Sequence, residues 1–157
     1  MKDLIIIGAG GHGKVCADIA QRMNSFKSIK FFDENKTGTV MDIEIVQSKN
    51  IEEIINQDTE IFVAIGDNHI RIEKIALVLN LGANLATLID PSAIISKSVN
   101  IGQGTVVMPN VVINASAQIG IGVILNTSSI CEHDCIVNNF AHISPGAVIA
   151  GGARIGV

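Results

Sequence analysis

The segment SICEHDCIV, residues 129–137, combines two thiols, an imidazole and two carboxylates within a short stretch of chain. Thiols and imidazoles are ligands for zinc. Two neighbouring cysteines can also form a redox pair, and an imidazole beside a carboxylate can act as a general base. Each chemistry needs a different set of side chains on one side of the backbone, so the element that carries the segment decides among them.

A six-residue repeat runs through the second half of the chain. Every sixth residue is aliphatic or similar, and a small or β-branched residue follows four positions later. Neither a helical period nor simple alternation produces this pattern. It predicts a parallel β-helix with three short strands per coil, in which residues eighteen apart stack. The aliphatic positions are Ile89, Ile95, Ile101, Val107, Ile113, Ile119, Leu125, Cys131, Val137, Ile143, Ile149 and Ile155.

The repeat sorts the side chains of the opening segment. Cys131 occupies an aliphatic position and Cys135 a small one, so both thiols are predicted to face the interior as small apolar groups. The residues between them form an outward corner that includes His133. The cysteines and the histidine therefore cannot converge on one zinc ion, and inward thiols are shielded from exchange. We predict neither a metal site nor a redox pair here.

The predicted corner leaves His133 exposed, and two interpretations remain open for it. It could be a solvated surface histidine. Stacking, however, places Ala115 below it and Gly151 above it, which leaves room for a ligand, and Asp134 could orient the ring and strengthen it as a base. His142 is a second outward histidine, for which a surface role and a functional role both remain open.

The first half of the chain follows a different pattern, with strands alternating with helices. Apolar runs at residues 4–7, 29–32, 61–65 and 85–89 predict strands, and helical spacing follows each of the first three. This alternation predicts a small parallel sheet covered by helices. We therefore expect an α/β domain over residues 1–88 and a β-helix over residues 89–157. The polar face of the helix at 68–81, with Arg71 and Lys74, is predicted to be solvated.

A glycine-rich turn follows the first predicted strand. Residues 8–13 read G-x-G-x-x-G, and Asp33 follows twenty residues after the last glycine. The spacing matches a dinucleotide-binding fingerprint, and an NAD-dependent oxidoreductase is one hypothesis. The same turn could serve any phosphate. For Gly8 and Gly13 tight packing is an alternative, and for Asp33 a turn at the end of a strand.

Composition narrows the class of protein. The chain has 157 residues, 48% hydrophobic, with a formal net charge of -4, which offers no basic surface for nucleic acid or for an anionic membrane. No apolar run reaches the length of a membrane span. Three cysteines without an export signal favour a reducing cytoplasm.

The residues Asn126, Thr127 and Ser128 are interpreted as structural groups at a coil corner.

Five segments together resemble the NeuD/PglD family of bacterial sugar acetyltransferases, and the resemblance covers essentially the whole chain. They read IIIGAGGHGKV, FFDEN, VAIGDNHIR, VILNTSSICEHDCIV and FAHISPGAVIAGG. The family includes sialic acid O-acetyltransferases and N-acetyltransferases of UDP-4-amino-4,6-dideoxy sugars. The resemblance implies a homotrimer of left-handed β-helices, each with a Rossmann-like domain. It also implies acetyl-CoA between subunits and no metal.

The resemblance also implies roles for individual residues. His133 would be the general base, and Asp134, a shorter carboxylate than is usual in the family, would strengthen it. His142 would contact acetyl-CoA, as would Gly151, whose N–H would hold the oxyanion. The residues implied to bind the acceptor are Gly10, Gly11, His12, Asp33, Glu34, Gly66 and His69.

The sequence thus favours acetyl transfer to the amine of a UDP-linked 4-amino-dideoxy sugar. Transfer to a sialic acid hydroxyl is the alternative within the family. An NAD-dependent oxidoreductase and a non-catalytic module that binds a nucleotide sugar are the alternatives outside it. Family members continue with further coils, whereas this chain ends at Val157. We therefore expect a shortened chain that lacks part of the CoA groove and is impaired in catalysis.

Overall fold

The computed structural model of the chain describes residues 1–156 as two compact units. The first unit is Met1–Ala86, and the second begins at Thr87. Within the described residues, neither helix is long and apolar enough to cross a bilayer. Each unit carries a different part of the predicted chemistry.

The first unit is a parallel α/β unit of the Rossmann-like kind. Its main sheet has the strand order β2-β1-β5-β6, and a two-stranded antiparallel hairpin, β3-β4, lies outside that sheet. A 3₁₀ turn spans Ile51–Glu53. The elements are β1 (Asp3–Ile7), α1 (Gly11–Met23), β2 (Ser28–Phe32), β3 (Thr39–Val40), β4 (Ile43–Glu44), β5 (Thr59–Val63), α2 (Asn68–Asn80) and β6 (Asn84–Leu85).

The core of this unit follows from the apolar patterns of its elements. The run 4–7 in β1 is buried throughout, as expected for a central parallel strand covered on both faces. Helix α1 buries small and aliphatic side chains. Asn24, the residue that caps its carboxyl end, has a left-handed φ of 50°. Helix α2 begins after Asp67, whose carboxylate accepts a hydrogen bond from the backbone N–H of Ile70.

One predicted strand is divided between the two units. The sequence predicted a single strand over residues 85–89, but β6 ends at Leu85 and a new strand begins at Leu88. The reason is a change of hydrogen-bond partner. The N–H of Ala86 donates to the carbonyl of Ile61 in the α/β sheet, whereas the N–H of Leu88 donates to Thr105 in the next unit.

The second unit is a left-handed parallel β-helix with three faces of four strands each. Face 1 contains β7 (Leu88–Ile89), β10 (Val106–Val107), β13 (Ile124–Leu125) and β16 (His142–Ile143). Face 2 contains β8 (Ile94–Ile95), β11 (Val112–Ile113), β14 (Ile130–Cys131) and β17 (Val148–Ile149). Face 3 contains β9 (Asn100–Ile101), β12 (Gln118–Ile119), β15 (Ile136–Val137) and β18 (Arg154–Ile155).

The predicted register is confirmed in every coil. Residues eighteen apart pair in parallel, as in the column formed by Ile113, Cys131 and Ile149. The second residue of each strand faces the interior, where each fully buried aliphatic side chain contributes about 1.5–3 kcal/mol before the entropy of ordering the chain is subtracted. The first and last coils bury their inner residues less completely, because each has a neighbouring coil on one side only.

Candidate active site

The segment that joins β14 to β15 forms a corner between face 2 and face 3. Cys131 and Cys135 are fully buried on either side of this corner, which confirms the prediction that both thiols face inward. Burial raises the pKa of the Cys131 thiol to about 12, and the neighbouring Cys135 adds to that shift. Between them His133 and Asp134 project outward and are exposed. The thiols therefore play no part in the chemistry of the corner.

His133 is held by the residue that follows it. Its Nδ1 lies 2.8 Å from Oδ2 of Asp134, and the two side chains are 66% and 65% exposed. The short carboxylate thus reaches the ring. Asp134 has a left-handed φ of 59°, a conformation that Asp tolerates better than most residues. With its proton on Nδ1, the ring donates to the carboxylate and leaves Nε2 free to accept a proton.

The side of the ring that carries Nε2 faces a residue without a side chain. Gly151 lies one coil further along the stack, and a Cβ placed on it would be 2.7 Å from Nε2 of His133. Backbone hydrogen bonds fix the stack, from Gly152 N–H to His133 O (2.9 Å) and from Asp134 N–H to Ala115 O (3.0 Å). The missing side chain therefore lets the imidazole lie close to the backbone of Gly151.

The coil below also supports this corner. The side-chain amide of Asn114 donates to a carboxylate oxygen of Glu132 over 2.8 Å. Glu132 directly precedes His133, so this bond anchors the corner on the side opposite Asp134. Asn114 was not predicted as a site residue, because a lone asparagine outside the repeat positions gives no signal of its own.

His142 is exposed, as predicted, but it points in another direction. It is the first residue of β16 on face 1. In a three-sided prism, face 1 is opposite the corner between faces 2 and 3, where His133 lies. Its Nε2 is 3.0 Å from the side-chain Nδ2 of Asn126, whose Oδ1 accepts a hydrogen bond from the N–H of Thr127. Within one chain the two histidines are therefore not brought together.

A cavity of about 250 Å³ opens in the first unit, at the carboxyl ends of β1, β2 and β5. Ligands of parallel α/β sheets bind at this end of the strands. Among the predicted acceptor residues Asp33 and Glu34 line it, whereas Gly10, Gly11, His12, Gly66 and His69 do not. The lining residues are Ile7, Gly8, Phe32, Asp33, Glu34, Asn35, Ile65, Ile70 and Lys74.

Asp33 joins the glycine-rich turn to the end of β2. Its Oδ2 accepts from the N–H of Ala9 at 2.9 Å, and its Oδ1 accepts from the N–H of Asn35 at 3.0 Å. Desolvation acts to raise the pKa of this carboxyl, but hydrogen bonds from the backbone and the charge of Lys36 outweigh it and lower the pKa. Asp33 therefore presents a negative charge at the edge of the cavity.

The glycines of the turn fall into two groups. A Cβ on Gly13 would be 2.0 Å from the carbonyl oxygen of Gly8, and Gly8 itself has a φ of 101°. These two glycines are needed for close packing of α1 against the turn. Gly10 and Gly11 have open space around them, and His12 lies with its Nε2 3.7 Å from the thiol of Cys16.

An ion pair borders the cavity. Lys74 Nζ lies 2.5 Å from Oε1 of Glu34. Both side chains also line a smaller adjoining cavity of about 100 Å³, near the 3₁₀ turn. Ile7 and Phe32 also line both cavities. The pair therefore stands where the two cavities meet.

Comparison with known proteins identifies the family. Residues 3–77 match the family described as the PglD N-terminal domain. The acetyltransferase domain of PglB from Neisseria gonorrhoeae FA1090, solved in complex with acetyl coenzyme A, is 38% identical. It superposes with a TM-score of 0.94 over 98% of this chain and 75% of that one. The chain belongs to the NeuD/PglD-like family of hexapeptide acyltransferases.

Two further relatives act on amino sugars. A mutant of perosamine N-acetyltransferase from Caulobacter crescentus, in complex with CoA and GDP-perosamine, is 31% identical, with a TM-score of 0.91 over 98% of this chain and 74% of that one. UDP-N-acetylbacillosamine N-acetyltransferase from Bacillus subtilis (strain 168) is 34% identical over 119 residues. These cover 68% of this chain and 51% of that enzyme, so the chain spans about half the length of this curated relative.

A second prediction for this NeuD/PglD-like chain, besides the undivided strand at residues 85–89, is also wrong. Arg71 was expected on a solvated helix face, but it is only 1% exposed. Its guanidinium instead bonds to the loop between β5 and α2. The helical pattern could not reveal this, because the acceptors are backbone carbonyls, which carry no sequence signal. The apolar walls Ile7, Phe32 and Ile65 were likewise missed as site residues, since strand-end aliphatic and aromatic residues look like ordinary core.

Proposed function

We propose that this chain is an acetyl-CoA-dependent N-acetyltransferase that acts on the amine of a UDP-linked 4-amino-dideoxy sugar. The observation that carries the proposal is the corner at His133. An exposed imidazole is held at Nδ1 by Asp134, and its Nε2 lies beside Gly151, which has no side chain. An exposed base with Nδ1 engaged by a carboxylate and Nε2 left to accept a proton suits proton removal from an attacking amine.

In the proposed reaction the amine nitrogen of the acceptor attacks the thioester carbonyl carbon of acetyl-CoA. His133 Nε2 takes the proton of the amine as the C–N bond forms. The negative charge moves to the carbonyl oxygen, where the N–H of Gly151 donates to it. When the charge returns, the C–S bond breaks, and the imidazolium gives its proton to the leaving CoA thiolate. Asp134 holds the ring throughout and stabilises its positive charge.

For the acceptor, we assign the cavity at β1, β2 and β5 to the nucleoside part. A volume of about 250 Å³ is smaller than a pocket for a whole nucleotide sugar requires. The carboxylate of Asp33 can accept hydrogen bonds from ribose hydroxyls, as acidic residues at this position of α/β folds do. Lys74 is paired with Glu34 in this structure and would exchange that partner for a phosphate. The name of the Bacillus subtilis relative supports UDP, whereas the Caulobacter crescentus complex holds a GDP sugar.

A homotrimer is part of the proposal. The outer side chains of face 2 are aliphatic, and Ile94 and Val148 at its two ends are 67% and 63% exposed. Such a stripe favours association. His142 points away from His133 within a chain, so a site that uses both histidines needs two subunits. We also place the reaction in the cytoplasm, where the free cysteines would stay reduced.

The test is a mass-spectrometric screen of acetyl transfer from acetyl-CoA. The acceptors are UDP-linked and GDP-linked 4-amino sugars, free amino sugars and sialic acids. We expect transfer to the UDP-linked amine, and a loss of about 10²–10⁴-fold in the His133→Ala variant, with its fold intact. Transfer to sialic acid alone would contradict N-acetylation. Binding of a nucleotide sugar without any transfer would instead support a non-catalytic module, and reduction of a substrate by NADH an oxidoreductase.

A further inference from the structure

Arg71 is the largest fully buried side chain among the described residues. A guanidinium is costly to bury unless its N–H groups find acceptors. Burial lowers its pKa, and the charge of Asp67 acts in the opposite direction. The hydrogen bonds of the Arg71 guanidinium must offset the free-energy cost of burying its charge.

Three hydrogen bonds of the Arg71 side chain go to one loop and to the first residue of the helix that follows it. Nη1 donates to the carbonyl oxygens of Ile65 (3.0 Å) and Gly66 (2.9 Å), and Nη2 donates to Oδ1 of Asn68 (2.8 Å). Ile65 and Gly66 belong to the connection between β5 and α2, and Asn68 is the first residue of α2. One rigid, planar group thus fixes two successive peptide units and the start of the helix.

The same loop forms a wall of the acceptor cavity. Ile65 and Ile70 line it together with Gly8 and Asp33, whereas Arg71 does not line it. The peptide bonds are trans and planar, so turning the carbonyls of Ile65 and Gly66 toward the guanidinium turns the following N–H groups away from it. The guanidinium of Arg71 is therefore bonded to the backbone of the residues that form this wall.

We propose that Arg71 is a positioning residue for the acceptor, which holds the loop of Ile65 and Gly66 in the shape that receives the nucleotide sugar. The inference rests on the proposed function and deepens it. Lysine cannot replace the guanidinium, because a single ammonium group cannot present the planar fork that reaches two carbonyls and an amide at once. We expect the effect to fall on acceptor binding, since these three hydrogen bonds hold the loop that lines the acceptor cavity and the first residue of the helix after it.

The test compares Arg71→Met and Arg71→Lys with Val78→Ala, a truncation of another fully buried residue of α2. KM for the UDP-linked amino sugar, KM for acetyl-CoA and kcat are measured well below the melting temperature of each variant. For Arg71→Met we expect a rise of about tenfold or more in acceptor KM, with acetyl-CoA KM and kcat within about twofold. Arg71→Lys should recover only part of this loss. Val78→Ala should lower the melting temperature without changing acceptor KM.

Equal changes in both KM values, or the same rise in acceptor KM for Val78→Ala, would overturn the inference, because either would mean a general loss of structure. If Arg71→Met does not fold, Asn68→Ala decides. It removes one acceptor of the guanidinium, so a raised acceptor KM supports the inference and an unchanged one refutes it. A wild-type chain that transfers no acetyl group but binds UDP would refute the proposed function alone, and calorimetric titration of the same variants with UDP would then decide the role of Arg71.

Discussion

Asp134 combines a structural and a chemical requirement in one position. The corner of the coil needs a residue with a φ of 59°, and asparagine and aspartate accept this conformation more readily than other side chains that carry Cβ. The proposed base role of the imidazole beside it calls for a carboxylate, and of asparagine and aspartate only aspartate carries a charge. The short side chain of Asp134 still places Oδ2 2.8 Å from Nδ1 of His133. Aspartate therefore suits both the backbone of the corner and the contact with the ring, and the longer Glu is not required.

At the residue scale, alanine substitutions at Gly151 and Gly152 test two different effects: a steric contact with the ring of His133 and strain in the backbone. Gly151→Ala puts a Cβ 2.7 Å from Nε2 of His133 and must displace the ring, whereas an alanine at Gly152 meets no atom within 4 Å but has to adopt a φ of 71°. We expect Gly151→Ala to lower kcat/KM for acetyl transfer about 10²-fold or more, with its unfolding free energy within about 0.5 kcal/mol of the wild type.

Gly152→Ala should do the reverse. Its left-handed backbone costs about 1–2 kcal/mol of stability with an alanine, while acetyl transfer stays close to that of the parent chain because the ring of His133 is not touched. Urea denaturation and initial rates on the same two proteins check both halves. An active Gly151→Ala variant would show that the space beside Nε2 is not where the acetyl group reacts.

At the element scale, alanine substitutions at Gly11 and Gly13 of helix α1 test which of these glycines the packing of the helix requires. Helix propensity alone predicts that alanine at either Gly11 or Gly13 stabilises α1 by about 1 kcal/mol. Gly11 has open space, so Gly11→Ala should show that gain or no change. At Gly13 the Cβ would lie 2.0 Å from the carbonyl oxygen of Gly8, and Gly13→Ala should lose about 1–3 kcal/mol by overpacking. Urea unfolding of both variants measures the difference in sign, and equal stabilities would mean that the turn shifts freely.

The β-helix was predictable in detail, because its register is written in the sequence. Each coil repeats the same inward positions, so a six-residue period fixes which side chains face the core and which strands pair. That register alone predicted that Cys131 and Cys135 face inward and that His133 faces outward. The alternation of strands and helices in the first unit likewise predicted a parallel sheet, whereas the expectation that Asp33 and Glu34 line a pocket came from the family resemblance.

The features that could not be predicted are set by contacts between distant segments. The run at 85–89 is apolar throughout, so its pattern cannot show that the partner strand changes between Ala86 and Leu88. The hairpin of β3 and β4 is too short to show a period. Arg71 looks like any charged residue near a helix start, and only the packed loop shows that its guanidinium is enclosed by carbonyls.

At the scale of the whole molecule, the outward residues distinguish the faces of the β-helix. Face 2 presents Ile94 and Val148 to solvent, whereas three of the four outward residues of face 3 are polar, with Ile136 as the fourth. The three polar residues are Asn100, Gln118 and Arg154. Apolar stripes on a regular, flat face favour contact with a second copy, and polar faces favour solvent. The proposed trimer should therefore depend on face 2, which carries the corner with His133 at one edge.

Replacing Val148 on face 2 with lysine tests this arrangement. Val148→Lys would bury an ammonium group without a partner in the interface, and we expect it to weaken association about 10²-fold or more and to reduce acetyl-CoA binding in parallel. Gln118→Lys on face 3 adds the same charge at an exposed polar position and should leave the trimer intact. Light scattering after size-exclusion chromatography measures the mass of each variant over a range of concentrations. If Gln118→Lys dissociates while Val148→Lys stays trimeric, the subunits meet through face 3, and the two histidines must be joined by a different arrangement of chains.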